Sequence, residues 1–275
     1  MDLKYDLETI TPHTVANTRG VGRGNAGAVS LRNFIIAIDS TLYAKTAQIF
    51  RQNLESQFAL PIKFLIFTHY HADHIFGIGP FSDVTTISSE QMIKNMESEP
   101  IKKQYEMRVK EFPKQDPLAE GVVFKLPNVG FNERLIIRDE DLHVELLHLG
   151  GHTSGTSIVY VPHEKVIFAG DLIFANLFPY AGDPTCNPEQ YIEAFEIMKS
   201  LDAEIFIPGH GRVLKGKNSL DIYIKFFREF REAVTDGIRD NVASENIEVP
   251  HEFAIFSEDM KTSSINHWYN FYKKS

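Results

Sequence analysis

Four side chains that commonly bind metal ions lie within six residues of one another. The segment "THYHADH" holds His69, His71, Asp73 and His74, and it follows the apolar run at 62–67. Imidazole and carboxylate groups are costly to desolvate, so their crowding at the end of a buried strand needs a reason. In an extended backbone His69 and His71 point the same way, and the next two can face a second point as the chain turns. The four could serve one ion or be shared between two, and they suit zinc, and also iron or manganese.

Three later motifs offer further ligands of the same kind. They are "GGHTSGT" with His152, "FAGDLIF" with Asp171, and "IPGHG" with His210. Each follows an apolar run and contains glycine, which lets the backbone turn sharply and leaves the side chain accessible. We therefore expect five histidines and two aspartates at the edges where strands pass into loops.

The elements that must position these residues alternate in the first half of the chain. Apolar runs and helical spacing predict strands at 33–40, 61–67 and 83–88, and helices at 41–58 and 88–112. Ser88 and Gln91 form a capping box at the start of the second helix. Pro113 and Pro117 are expected to end it, since proline cannot continue a helix.

The second half repeats this order and then becomes helical. The segments "RLIIRD", "LHVELLHL", "TSIVYV" and "KVIFAG" are predicted strands, followed by a helix over 188–200 and a strand over 203–211. The tail carries an apolar stripe typical of a helix, formed by Leu220, Ile224, Phe227 and Phe230. With no linker between the halves, we predict one compact α/β unit of αββα type with a C-terminal helical extension.

Composition excludes several classes of protein. The 275 residues include 37 acidic and 28 basic side chains, a net charge of -9, which disfavours binding to nucleic acid. A single cysteine, Cys186, rules out an intramolecular disulfide and reads as a free thiol. The N-terminus does not read as a secretory signal and no apolar stretch is long enough to span a membrane, so we expect a cytoplasmic protein.

The four motifs together resemble the metallo-β-lactamase superfamily over roughly residues 15–215. The resemblance implies a four-layer αββα sandwich, with residues 1–215 as the metallohydrolase domain and 216–275 as a helical extension packed on that domain or on a partner subunit. It also implies two divalent metal ions, with zinc first and iron or manganese as alternatives. The implied ligands are His69, His71 and His152 for one ion, Asp73, His74 and His210 for the other, and Asp171 as the bridge, as in glyoxalase II-like members.

The resemblance also implies an activity. A hydroxide bridging the two ions would cleave a thioester, lactone or related acyl bond of a small molecule, with Asp73 orienting the attacking oxygen and passing on its proton. We expect the loop after Asp171 to line the pocket through Asn176, Phe178, Tyr180 and Asp183. No nucleic acid or membrane is expected as a partner, and the tail around Trp268 could form a homodimer.

Several rival functions on this scaffold stay open: β-lactam hydrolysis, nucleic-acid processing, diiron redox chemistry, and binding by a vestigial site. The best-known zinc β-lactamases carry Cys where this chain has Asp171, and homoserine-lactone lactonases carry Tyr where it has Phe174. Flavin-linked diiron members carry Glu in place of His71. The glycine-rich stretch at 20–27 imitates a dinucleotide fingerprint, but we interpret it as a hairpin loop near the metal mouth because strand residues follow it.

Overall fold

The computed structural model of the chain describes residues 5–19 and 23–274, so part of the glycine-rich stretch, residues 20–22, lies outside the described residues. Over those ranges two β-sheets pack face to face, and helices cover both outer faces. This is the four-layer αββα sandwich expected from the sequence. None of the helices in the described ranges is long and apolar enough to cross a membrane.

The first sheet is built from the N-terminal half of the chain and pairs its strands in sequence order. Its strands are β1 (Glu8–Thr9), β2 (Thr14–Asn17), β3 (Ala26–Ser30), β4 (Ile35–Ile38), β5 (Ile62–Ile66), β6 (Thr85–Ser89) and β7 (Val129–Phe131). Strands β4 to β7 are parallel, so their carboxyl ends meet at one edge. The helices of this half are α1 (Ala44–Phe58), α2 (Ala72–Ile75), α3 (Glu90–Glu97) and α4 (Glu99–Gln115).

The second sheet is built from the C-terminal half, in the order β13-β12-β11-β10-β9-β8. Its strands are β8 (Arg134–Asp139), β9 (Leu142–His148), β10 (Ser157–Val161), β11 (Val166–Phe174), β12 (Ile205–His210) and β13 (Leu214–Lys215). Strands β11 and β12 are parallel, whereas the other pairs are antiparallel. The helices are α5 (Pro188–Ser200), α6 (Asp221–Arg239) and α7 (Glu258–Lys274).

Three apolar clusters hold the layers together. One lies between the two sheets, one lies between the first sheet and its helices, and one lies between the second sheet and α5, α6 and α7. The tail belongs to the last cluster, because Trp268 is fully buried with its ring 5.6 Å from Phe227 and 4.6 Å from Phe230. The C-terminal helices therefore pack on their own chain, and the homodimer stays a prediction.

Three local predictions need correction. The predicted helix over 88–112 is two helices that break at Ser98, because in a continuous helix the ring of Pro100 would clash with the carbonyl of residue 96. The first of them is capped by Ser89, whose hydroxyl accepts from the Met92 amide at 3.1 Å, and Ser88 still belongs to the strand. Pro113 does not end α4, since it lies in the last turn, where only one intrahelical hydrogen bond is lost.

Candidate metal centre

The turn after β5 brings the first four ligands to the sheet edge. Asp39, directly after β4, accepts hydrogen bonds from the Thr68 amide at 2.9 Å and the Thr68 hydroxyl at 2.8 Å. These bonds fix the chain where it leaves β5. The one-turn helix α2 then begins, with Asp73 in its first turn and His74 in its last.

All seven predicted ligands converge at this edge, between the two sheets. His69, His71, His152 and Asp171 offer one ligand atom each, and these atoms lie within 4.8 Å of one another. Asp73, His74 and His210 form a second set that meets the same limit. We call the histidines of the first set (His69, His71 and His152) the first group, and Asp73, His74 and His210 the second group.

Asp171 stands between the two groups. Its Oδ1 lies 3.1 Å from His74 Nε2, and its Oδ2 lies 3.4 Å from His210 Nε2. The same Oδ2 lies 3.6 Å from Nε2 of both His69 and His152. One carboxylate thus faces ligands of both groups, as a bridging role requires. Asp171 lies within β11 rather than at its end as predicted, beside a register irregularity at Gly170.

A glycine makes room for this carboxylate. A Cβ atom on Gly209 of the "PGHG" motif would lie 1.8 Å from Asp171 Oδ1. Gly24 does the same for the second group, because a Cβ there would lie 2.8 Å from His74 Nε2 and 2.6 Å from the Asp73 carbonyl oxygen. The described part of the glycine-rich stretch therefore lies against the ligands, in keeping with our interpretation of it as a loop near the metal mouth.

Three of the ligand histidine rings are oriented through Nδ1, the nitrogen that faces away from the centre. Nδ1 of His69 lies 3.0 Å from the Thr68 hydroxyl, Nδ1 of His152 lies 2.9 Å from the Tyr180 carbonyl, and Nδ1 of His74 lies 2.8 Å from Asp39. These rings present Nε2 to the centre. Such outer partners fix the tautomer of a metal-ligating histidine.

His71 is turned the other way. Its Nε2 lies 2.9 Å from Asp183 Oδ2, and its Nδ1 lies 3.0 Å from Nε2 of His152. The other four ligand histidines direct Nε2 at Asp171. The first group therefore combines one Nδ1 with two Nε2 atoms.

The donor set fits a pair of divalent cations. His69 Nε2, His74 Nε2 and Asp171 Oδ1 are buried, and among the described residues none of them makes a hydrogen bond of good geometry, the 3.1 Å approach of the last two being a charge contact. A buried polar atom without a partner is costly, and bound cations would satisfy all three. Five imidazoles and two carboxylates are also the ligand types that zinc takes.

Burial and charge set opposite protonation states in the two groups. Burial lowers the pKa of His69 well below its usual range and lowers that of His152 to about 4. Burial acts the same way on His74 and His210, but the carboxylates beside them prevail. Asp171 and Asp39 hold the pKa of His74 well above its usual range, and Asp171 with Asp73 raises that of His210 to about 10. His69 and His152 are neutral near pH 7, and His74 and His210 hold protons until a cation displaces them.

The predicted pocket residues occupy different places. The Tyr180 ring centre lies 5.9 Å from that of His152 and 6.1 Å from that of His71, which puts it beside the first group. Asn176 has a left-handed backbone (φ 62°) in a loop that pairs with Ala254. Phe178 is buried in the helical core, so its position gives no support to a substrate contact.

Sequence reasoning missed Asp39 and the individual roles of Asp183 and Gly24. Asp39 ends an apolar strand, which is the signal that identified His210, so it could have been found. Asp183 was expected to line the pocket, but its contact with the His71 ring, 112 positions away, carried no sequence signal. The sequence pointed to the loop of Gly24 but not to its contact with His74.

The chain is similar in sequence to known proteins. A family model described as the metallo-beta-lactamase superfamily matches residues 19–210. The chain is 22% identical over 199 residues to the linear primary-alkylsulfatase of a Pseudomonas strain, covering 62% of this chain and 38% of that protein. It is 28% identical over 169 residues to the beta-lactamase-like protein 2 homolog of Caenorhabditis elegans, covering 60% and 48%. The chain thus spans less than half of the length of these curated relatives.

Solved structures share the fold. The metallo-beta-lactamase from Pontibacter korlensis superposes with a TM-score of 0.63 at 16% identity, covering 82% of this chain and 99% of that one. A double mutant of the sec-alkyl sulfatase PisA1 superposes with a TM-score of 0.71 at 15% identity, covering 98% of this chain and 50% of that one. At these identities the likeness concerns the fold alone.

Proposed function

We propose that this chain, which belongs to the metallo-beta-lactamase superfamily, binds two divalent cations and hydrolyses a thioester, lactone or related acyl bond of a small molecule. The observation that carries the proposal is the position of Asp171, whose two oxygens face both ligand groups at 3.1–3.6 Å. Zinc is the proposed metal because the donor set is rich in imidazole.

Two cations held by these residues would supply an activated water and polarise the scissile bond. The chain's own residues supply orientation and proton handling. Asp73 has 27% of its side chain exposed, against 4% for Asp171, so it is the carboxylate of the pair that a substrate can approach. Burial acts to raise the pKa of Asp73, but His210 and His74 hold it well below its usual range. It therefore stays an acceptor that can orient a water molecule by taking its hydrogen bond.

The aromatic rings beside the ligands favour a substrate with an apolar portion. The Phe174 ring stacks on His210 with their centres 4.9 Å apart, and Tyr180 lies beside His71 and His152. Phe174 has no hydroxyl to donate to a substrate oxygen. Stabilisation of negative charge on the substrate would then fall to the cations.

A sulfate ester is the second candidate substrate. The similarity to the linear primary-alkylsulfatase and the fold match to the sec-alkyl sulfatase PisA1 over 98% of this chain favour it. An alkyl sulfate also has the apolar portion that the aromatic rings would accept. The bond broken is then a sulfate ester rather than an acyl bond.

The test combines metal analysis with a substrate panel. Zinc would be quantified in the purified protein, and turnover would be measured on an acyl thioester, a lactone, a primary alkyl sulfate and a β-lactam. We expect two zinc ions per chain and release of thiol or ring-opened acid. Release of sulfate from the alkyl ester, without acyl cleavage, would replace the first candidate by the second. Two bound ions without turnover of any of the four would contradict both.

The role of Asp73 has its own test. In Asp73→Asn the side chain keeps its shape but loses its charge, so we expect turnover to fall by about 10²- to 10⁴-fold, the range for a proton-handling group. Zinc content measured on the same sample separates this from loss of an ion. Unchanged turnover with both ions bound would remove Asp73 from the mechanism.

A further inference from the structure

We propose that Asp183 is a positioning residue of the metal centre, which turns His71 so that Nδ1 faces the first ion, and that helix α7 holds Asp183 in place. The inference rests on the two-cation site of the proposed function. It is tested by metal binding without substrate, so it stands or falls independently of the bond that is cleaved.

Asp183 is buried and fully engaged. Its Oδ2 accepts from His71 Nε2 at 2.9 Å and from the Tyr70 hydroxyl at 2.6 Å. Its Oδ1 accepts from the Thr185 amide at 2.8 Å and the Thr185 hydroxyl at 2.7 Å. A carboxylate accepts hydrogen bonds but donates none, so the imidazole proton sits on Nε2 and the Nδ1 lone pair is free for a cation.

The loop that carries Asp183 is attached to α7 on both sides of this residue. Before it, the Ala181 amide donates to the Ser264 hydroxyl at 2.9 Å. After it, His267 Nε2 lies 2.8 Å from the Cys186 carbonyl oxygen. Gly182 packs so closely that an added Cβ would lie 2.5 Å from Ser263 Oγ and 2.9 Å from the Ser264 nitrogen. Helix α7 thus fixes the position of Asp183 relative to the metal ligands.

The same loop supports a second ligand. The Tyr180 carbonyl, at 2.9 Å from His152 Nδ1, orients that ring as Asp183 orients His71. Two of the three histidines of the first group therefore depend on one loop and one helix. Helix α7 lies beyond residues 19–210, the part of the chain that matches the family model.

The second group is supported by a different part of the fold. His74 is oriented by Asp39, which follows β4 in the first sheet; Asp39 also holds Thr68, whose hydroxyl orients His69 of the first group. No hydrogen bond connects Asp39 with α7 among the described residues. A change at Asp183 or on α7 should therefore weaken one ion and spare the other.

The experiment measures the two zinc affinities by competition with a chromophoric chelator. Asp183→Asn is the test, and Asp39→Asn is the matched control, since it removes the equivalent charge behind the second group. Losing the outer partner of a metal-ligating histidine typically costs about 10- to 100-fold in affinity. We expect a loss of that size for the first ion in Asp183→Asn and for the second ion in Asp39→Asn. Asp39→Asn should also weaken the first ion to a smaller extent, because Thr68 connects Asp39 with His69. In a His152→Ala background the first ion has already lost one ligand, so Asp183→Asn should lower its zinc affinity little further.

Helix α7 is tested by Ser264→Ala, with Thr262→Ala on an exposed position of the same helix as control. We expect Ser264→Ala to weaken the ion affected by Asp183→Asn, by less than that variant, and Thr262→Ala to leave both affinities unchanged. Wild-type affinities in Asp183→Asn would overturn the proposal. If Ser264→Ala matched Thr262→Ala, the part assigned to α7 would fail. Circular dichroism confirms that each variant is folded, and Ser264→Ala keeps the test usable if Asp183→Asn does not fold.

Discussion

The two ligand groups are built from nearly the same residue types and yet are prepared differently for a cation. The first consists of three imidazoles, of which those of His69 and His152 are fully buried and have pKa values lowered by burial. The second contains Asp73, and the carboxylates around it hold His74 and His210 protonated. Burial favours the neutral imidazole in both groups, but it is outweighed at His74 and His210, each of which faces two carboxylates.

A sequence motif therefore indicates which residues come together in the fold, but not the charges that they carry. His69 and His152 can accept a cation without releasing protons, whereas His74 and His210 exchange protons for theirs. The supports of the two groups also differ. His71 and His152 depend on a late loop and α7, whereas His74 depends on Asp39 and the glycine-rich loop, and Asp39 also reaches His69 through Thr68. A variant that weakens one ion and spares the other would show that the two groups are independent, and a variant that weakens both would show that they act as one.

The largest effect is expected from Asp171→Asn, because this carboxylate is shared. Asparagine keeps the shape but removes the charge that faces all four Nε2 atoms, so both ions should be weakened by more than about 100-fold, the upper range for an outer partner. Zinc stoichiometry by elemental analysis after dialysis measures this. Asp141→Asn, an exposed carboxylate paired with Arg32, is the control. Retention of one ion at full affinity would mean that Asp171 belongs to one group and does not bridge.

A second prediction concerns pH. Below its raised pKa a histidine must lose a proton before it binds a cation, so the affinity of the second group should fall by about tenfold per pH unit for each proton displaced. His210, raised to about 10, makes this loss continuous from pH 8 to pH 6. His152, lowered to about 4, stays neutral over that range. Chelator competition at pH 6, 7 and 8 should show one steep and one flat dependence, and two equal slopes would remove the distinction.

The third prediction uses a glycine. In Gly24→Ala the new Cβ would meet His74 Nε2 and the Asp73 carbonyl oxygen, and the second of these is backbone that cannot rotate away. We expect the second ion to be weakened on the order of tenfold, as for a displaced ligand partner, and the first ion to be retained. Gly79→Ala is the control, because its Cβ would meet its nearest atom at an ordinary 3.5 Å. Equal loss of both ions in Gly24→Ala would count against independent supports.

Some of the features behind these expectations could be predicted from the sequence, and others could not. Helix α5 was predicted at its observed bounds, and in the structure Asn187 caps it and Pro188 starts it. The break between α3 and α4 was missed, although Pro100 marks it. The seven ligands could be found because each stands in a short local motif beside an apolar run.

The supports of those ligands could not be found in the same way. His71 and Asp183 are 112 positions apart, and Ala181 and Ser264 are 83 apart. No periodicity or spacing connects such pairs, since only the packing of the loop after β11 and of α7 on α6 brings them together. Protonation was equally hidden, because it depends on which carboxylates face which rings after folding.

The smallest effect is expected from Tyr70→Phe, a change that concerns the first group alone. The change removes the hydroxyl that donates to Asp183 at 2.6 and 2.7 Å and leaves the ring beside Tyr105, at 6.2 Å. Asp183 keeps its bonds from Thr185 and His71, so one hydrogen bond of about 1 kcal/mol is lost, or about fivefold in the affinity of the first ion. Chelator competition should show this loss with the second ion unchanged. A loss as large as that of Asp183→Asn would mean that Tyr70, rather than the helix-held loop, fixes the carboxylate.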